Sequence, residues 1–230
     1  MIFQKKYADD IKQYGRSLVT LSNPSSEISE GYRTIRTNLE FLSISYKLQM
    51  ITITSATAGE GKSTTATNLS IAYAQLGKKV ILVDCNMRRP VIHQVFRFKE
   101  CKGLSDILVG GVSLDDALQE TGIPGLTLLT VGTIPPNPTE LLASSKTKEL
   151  FSDLRNRFEV IIIDSPSMMQ VPDTRLLAGI SDGMLLVIDS EASNRHLVLR
   201  AKEELERTGA QLLGIILNKR STRNTFSYYS

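Results

Sequence analysis

The sequence predicts an α/β fold with a mostly parallel central sheet and helices on both of its faces. Three observations carry this expectation. Short runs dominated by Val, Ile and Leu recur along the chain, helical patterns separate them, and a glycine-rich turn joins the first run directly to a helix. Strands buried on both faces read as continuous apolar runs, and each parallel crossover needs a connection long enough for a helix.

Taken in order, ISEGYRTIRTNLEFLSIS at 28–45 places Ile28, Tyr32, Ile35, Leu39 and Leu42 at helical spacing, with Glu30, Arg33 and Arg36 on the polar side. An amphipathic helix thus precedes the first strand. LQMITIT at 48–54 reads as a buried strand, and STTATNLSIAYAQLG at 63–77 as a helix stopped by Gly77. KKVILVDC at 78–85, VIIID at 160–164, GMLLVID at 183–189 and LLGIILNK at 212–219 supply four more strands, with LTLLTV at 126–131 a further candidate. LSDILVG, SLDDALQET, TELLASSKTKELFSDLRNR, DTRLLAGI and HLVLRAKEELERT read as the intervening helices.

A chain of 230 residues suits one packed domain, and no Pro/Gly/Ser-rich linker divides it. Its 27 basic and 24 acidic residues are spread too evenly to signal a nucleic-acid partner, so none is expected. No apolar run approaches the ~20 residues of a membrane span, and the start MIFQKKYADDIKQYG lacks a signal-peptide core, which together predict a cytoplasmic protein. Cys85 and Cys101 are too far apart for a CxxC pattern, and His93 and His196 lack companion ligands, so neither pair reads as a metal centre.

In such folds ligands sit outside the carboxyl ends of the strands, so the residues that follow each strand carry the chemistry. After the first strand comes SATAGEGKSTT at 55–65, which fits the phosphate-loop pattern with Ala56 in place of its first glycine. The loop Ala58, Gly59, Glu60, Gly61 would wrap backbone N–H groups around phosphate oxygens at the positive end of the next helix. Lys62 would reach the β- and γ-phosphates, and Ser63 would offer its hydroxyl to Mg²⁺. A P-loop NTPase-like architecture follows.

The strand VIIID ends in Asp164, at the place where phosphate-loop enzymes keep an acid that supports Mg²⁺. ILVDCNMRRP puts Asp84 at the neighbouring rim, then Asn86, Arg88 and Arg89 before a helix-breaking proline. Alone, Asp84 reads equally well as a solvated strand end held by local ion pairs. Beside a phosphate loop it reads as a second acid in the same crevice.

These segments together resemble the bacterial tyrosine kinases that act in capsular and exopolysaccharide synthesis, in the form whose kinase is a separate cytoplasmic chain. SATAGEGKSTTATNL is similar to their Walker A, VDCNMRRP to their Walker A′ (usually D-x-D-x-R) and IIIDSPS to their Walker B. The resemblance continues through GLSDIL at 103–108 and IPPNPTELL at 134–142, and covers nearly everything from about Ser25. It implies an N-terminal extension at 1–24, a kinase domain at 25–219 and a flexible tail at 220–230 that ends in Tyr228 and Tyr229.

The resemblance further implies a non-specific protein-tyrosine kinase that uses ATP and Mg²⁺ to phosphorylate Tyr228 and Tyr229 in trans. Asp84 would accept the proton of the attacking phenol, Asp164 and Ser63 would support the metal, Thr64 would lie near the α-phosphate, Asn218 would contact adenine and Arg88 would balance phosphate charge. Glu30, Arg33 and Arg36 match the E-x-x-R-x-x-R motif that joins subunits into a ring. The implied partners are copies of the chain, a transmembrane activator of the polysaccharide co-polymerase type and a cognate phosphotyrosine phosphatase, which would put the chain peripherally at the inner face of the plasma membrane. One position departs: the second acid of D-x-D-x-R is Asn86, which keeps hydrogen bonding in the outer metal shell but loses a charge.

Two other readings share these residues. A MinD/ParA-type ATPase switch has the same sheet, but usually carries an early second lysine in the loop where Thr57 stands here. A regulatory scaffold that binds nucleotide without turnover is the reading that Asn86 would allow.

Overall fold

The computed structural model describes residues 18–98 and 102–220. Its elements are α1 (Val19–Ser22), α2 (Glu27–Ser45), β1 (Met50–Ser55), α3 (Lys62–Ala74), β2 (Val80–Asp84), α4 (Ile92–Val95), α5 (Leu104–Leu108), α6 (Leu114–Ala117), β3 (Gln119–Glu120), β4 (Leu126–Leu129), α7 (Pro138–Ala143), α8 (Ser145–Arg157), β5 (Val160–Asp164), α9 (Asp173–Ala178), β6 (Gly183–Asp189), α10 (Arg195–Arg207) and β7 (Leu212–Asn218). Seven strands form one sheet in the order β3-β4-β2-β5-β1-β6-β7, and only the short edge strand β3 runs antiparallel.

Alternate residues of each central strand feed two cores, as a two-sided sheet requires. Ile51, Ile53, Val80, Leu82, Val160 and Ile162 meet α1–α3 on one face. Met50, Ile81, Val83, Ile161 and Ile163 meet the α5, α7 and α8 side on the other. Leu18 and Leu21, ahead of α2, belong to the first core, and the backbone N–H of Thr20 donates to Asn68 Oδ1 at 2.9 Å.

Helix α3 is buried on nearly all sides because it lies between the sheet and α2. Its polar residues are compatible with that position because they bond within the helix. Thr67 Oγ1 donates to Ser63 O at 2.8 Å, Ser70 Oγ to Ala66 O at 2.8 Å and Asn68 Nδ2 to Thr64 O at 2.9 Å. Helix α2 starts at Ser26, whose side chain accepts from Ser29 N, and Glu27 and Glu30 in its first turn face the positive end of the helix dipole.

Two expected helices differ. The pattern at 113–121 closes after Ala117, and Gln119–Glu120 pairs with β4 as an edge strand. The run 139–157 is two helices, broken at Ser144. There Ser144 Oγ donates to Leu141 O at 2.7 Å and accepts from Thr147 N at 3.4 Å, so one serine ends α7 and caps α8. The candidate strand at 126–131 is real: β4 lies parallel to β2 in the sheet.

Candidate functional site

The carboxyl ends of β1, β2 and β5 open onto a crevice of about 570 Å³ lined by Gly59, Lys62, Ser63, Asn86, Arg88 and Ser167, among others. Ala58, Gly61 and Thr64 lie in the same wall. The loop reaches this shape through two left-handed glycines, Gly59 at φ +84° and Gly61 at φ +96°, the second of which is also the N-cap of α3. The conformation of Gly61 favours glycine, and a Cβ there would lie 1.9 Å from Asn218 Nδ2 and displace that amide.

Lys62 Nζ lies 3.1 Å from Ser63 Oγ and 3.8 Å from Asp164 Oδ1. Asp164 is fully buried, and neither of its carboxylate oxygens accepts a hydrogen bond. Burial raises its pKa, while Lys62 and Ser63 oppose the rise. Two buried oxygens without donors, beside a serine hydroxyl, form a hard oxygen set that fits Mg²⁺, which is held by few protein ligands and keeps several waters.

Asp84 is the in-register partner of Asp164 across β2 and β5, and it too is fully buried. Its Oδ1 accepts Asn86 N at 3.0 Å and its Oδ2 accepts Ile92 N at 3.2 Å, so it also fixes the turn that follows β2. Burial first, and then the charge of Asp164, push its pKa up to about 7, against those two backbone donors and Lys62. Asn86, 8 % exposed, lies on the crevice wall.

The remaining expected residues are distributed as follows. Arg88 lines the crevice, yet its guanidinium is tied to Asp173: Nε to Oδ2 at 2.9 Å and Nη2 to Oδ1 at 3.3 Å, with Nη2 also donating to Thr139 Oγ1 at 2.9 Å. Thr139 in turn donates to Asp173 Oδ1 at 2.6 Å, which gives part of the IPPNPTELL segment a physical task. Glu60 turns its carboxylate away from the crevice to accept from Thr57 N at 2.8 Å and from Ser193 Oγ. Asn218 Nδ2 donates to Glu60 O at 2.9 Å.

On α2, Glu30 and Arg33 pair at 2.8 Å, and Arg33 also donates to Pro24 O at 2.6 Å. Arg36 is used inside the chain: it donates to Ala72 O at 3.0 Å, at the end of α3, and its side chain is only 12 % exposed. Tyr228, Tyr229 and Cys101 lie outside the described residues.

Four residues at or behind the site escaped the motif reading: Asp173, Asp189, Ser193 and Lys219. Asp189 carried the same signal as Asp84 and Asp164, an acid at the carboxyl end of a buried strand. The other three sit in loops or at helix starts, where sequence spacing gives no direction.

The parallel sheet, the left-handed glycines and the lysine beside a buried acid define a phosphate-loop α/β protein. An AAA domain family profile matches residues 48–200. The tyrosine-protein kinase YwqD of Bacillus subtilis is 41% identical over 216 residues, covering 93% of this chain and 91% of that protein. The crystal structure of the chimerical protein CapA2B2 superposes with a TM-score of 0.86 at 41% identity, over 89% of this chain and 90% of that one. The septum site-determining protein MinD of Pyrococcus horikoshii, solved with Mg-ADP, gives a TM-score of 0.64 at 26% identity over 76% of this chain and 73% of that one. The chain belongs to the bacterial tyrosine-protein kinase family. Among the described residues, no helix is long and apolar enough to cross a membrane.

Proposed function

We propose that the chain is an ATP- and Mg²⁺-dependent tyrosine autokinase whose body, residues 25–219, phosphorylates Tyr228 and Tyr229 of a neighbouring copy. The observation that carries this reading is that Lys62 and Ser63 line the crevice, with Asp164 3.8 Å from Lys62 and Asp84 in register beside it just beneath the wall, in a chain of this family. In the reaction the phenol oxygen forms a bond to the γ-phosphorus while the bond to the β–γ bridging oxygen breaks and ADP departs. Asp84 takes the phenolic proton, a role suited to a carboxylate whose pKa is raised toward neutrality. Lys62 and the loop N–H groups stabilise charge on the transferred group, and Asp164 with Ser63 would hold the metal. Bound Mg²⁺ would supply charge neutralisation for the phosphates. Asn86 lines the crevice in place of a second acid, so Asp84 and Asp164 carry the acidic work.

Arg88 is committed to Asp173 and so acts first by fixing the loop after β2 rather than as a free counter-charge. The tail could span up to ~35 Å when extended, enough for transfer between subunits of a ring joined through Glu30, Arg33 and Arg36. Each phosphate would add about −1.5 to −2 charge and weaken return to an acidic crevice. The family membership supports a role in capsular or exopolysaccharide synthesis, with a transmembrane co-polymerase as activator, a phosphotyrosine phosphatase as antagonist and a peripheral place at the inner membrane face.

Incubation of purified protein with Mg-ATP, alone and with a candidate activator, followed by mass spectrometry of the C-terminal peptide, tests the proposal. Phosphate on Tyr228 or Tyr229 in the wild type and none in Lys62→Met is the expected result. ATP hydrolysis without phosphotyrosine under both conditions would favour the ATPase-switch reading instead.

A further inference from the structure

Two consecutive carbonyls of the phosphate loop are held from the β7 side by two consecutive residues. Lys219 Nζ donates to Gly59 O at 2.8 Å, and Asn218 Nδ2 donates to Glu60 O at 2.9 Å. Lys219 is itself fixed by Asp189 Oδ2 at 2.7 Å. Asp189 is 7 % exposed, and its other oxygen accepts Glu191 N and Ala192 N at 3.0 and 3.1 Å. Its pKa is held below the usual carboxylate range, first by Lys219 and then by the Glu191 amide. Ser193 joins the two halves, since its Oγ accepts Asp189 N at 2.8 Å and donates to Glu60.

Peptide geometry turns these contacts into a statement about phosphate. In a trans peptide the C=O and the following N–H point in opposite directions. Fixing Gly59 O and Glu60 O toward β7 therefore aims the N–H groups of Glu60 and Gly61 away from β7. The crevice is walled by Gly59 and Gly61 and by residues that follow β2 and β5, strands across β1 from β7, with no β7 residue in its lining. Lys219 also adopts φ +58°, a left-handed conformation that is uncommon outside glycine. A non-glycine residue held there is consistent with a constrained side chain.

We infer that Lys219, braced by Asp189, is a positioning residue that holds the phosphate loop in its anion-binding shape before a nucleoside di- or triphosphate arrives. The inference rests on the nucleotide-site reading above. It differs from the roles of Lys62 and Ser63, because Lys219 acts through the backbone carbonyl of Gly59 and not on phosphate.

The test is calorimetric titration of Mg-ADP into wild type, Lys219→Met, Lys219→Arg and Asp189→Asn, with a melting curve of each in the absence of nucleotide. Asp189→Asn keeps an oxygen for the Glu191 and Ala192 amides and replaces the charged acceptor that braces Lys219 with an amide NH₂. Losing a charged hydrogen bond that is half-exposed to solvent should weaken Mg-ADP about tenfold in Lys219→Met and Asp189→Asn. Lys219→Arg, which keeps a cationic donor, should stay within about threefold of wild type. In turnover the KM for ATP should rise while kcat changes less. Wild type and both charge-removing variants binding Mg-ADP within about twofold of one another would overturn the inference alone. A loss of affinity accompanied by a collapse of the nucleotide-free melting temperature in both would assign the effect to packing and overturn it too. No binding by wild type would overturn the nucleotide site and the inference together.

Discussion

Asp84 and Asp164 stand in register at the ends of neighbouring strands, both fully buried, with Lys62 3.8 Å from Asp164 as the cation facing them. With both acids ionised, two carboxylates would face one lysine inside the protein, so burial and then the charge of Asp164 make Asp84 hold its proton to about 7. A cationic ligand at the crevice would favour the doubly ionised pair.

The first expectation concerns pH. An unfolded aspartate titrates near ~3.9, while Asp84 in the fold keeps its proton to about 7. Between these values the native state binds more protons than the unfolded one, so stability falls as pH rises through the window and levels off above it. In Mg²⁺-free, chelator-containing buffer, the melting temperature of Asp84→Asn minus that of wild type should increase from pH 4 to pH 7.5. A difference that does not change with pH would reject this account of Asp84.

Asn86→Asp places a third acid at the same strand ends. Without ligand it should lower stability by about 1–2 kcal/mol through like-charge repulsion. With Mg-ATP it should raise metal affinity, measured by the Mg²⁺ dependence of autophosphorylation. If only Asn86→Asp produced phosphotyrosine, with activator present, Asp84 and Asp164 would be insufficient by themselves.

Arg88 and Asp173 should respond unequally to deletion. Asp173 is fully buried and Arg88 is 40% exposed, so Arg88→Ala strands a carboxylate with Thr139 as its remaining side-chain donor. Chemical denaturation should show a loss of about 2–3 kcal/mol for Arg88→Ala and less for Asp173→Asn, whose partner can turn to water. Equal losses would mean that the pair acts only as surface charge.

The α2 motif divides into two tasks. Glu30 and Arg33 pair on the helix surface, whereas Arg36 reaches Ala72 O on α3. Glu30→Ala with Arg33→Ala should reduce oligomer size in light scattering and leave the monomer's melting temperature nearly unchanged. Arg36→Ala should destabilise by about 1–2 kcal/mol in either state. Unchanged oligomer size in the double variant would remove α2 from the proposed ring interface.

Much of this was legible in the sequence because its signals are local. A run such as VIIID needs no partner to declare burial, and Gly59–Ser63 carries its own turn chemistry. The break at Ser144 was hidden, since serine is compatible with a helix until its hydroxyl bonds Leu141 O. The Arg36–Ala72 contact and the Arg88–Asp173 pair join positions 36 and 85 residues apart, a distance over which spacing is silent. Arg88 illustrates the consequence: the family resemblance implied a phosphate counter-charge, and its neighbours give it a structural bond first.

Lys219 is followed at once by the segment that ends in Tyr228 and Tyr229. The brace on the phosphate loop is thus also the anchor point of that segment. If transfer between copies runs as proposed above, tension on that segment would arrive first at the bond from Lys219 to Gly59 O. Giving a tyrosine away and gripping nucleotide would then be mechanically opposed in one subunit of the proposed ring.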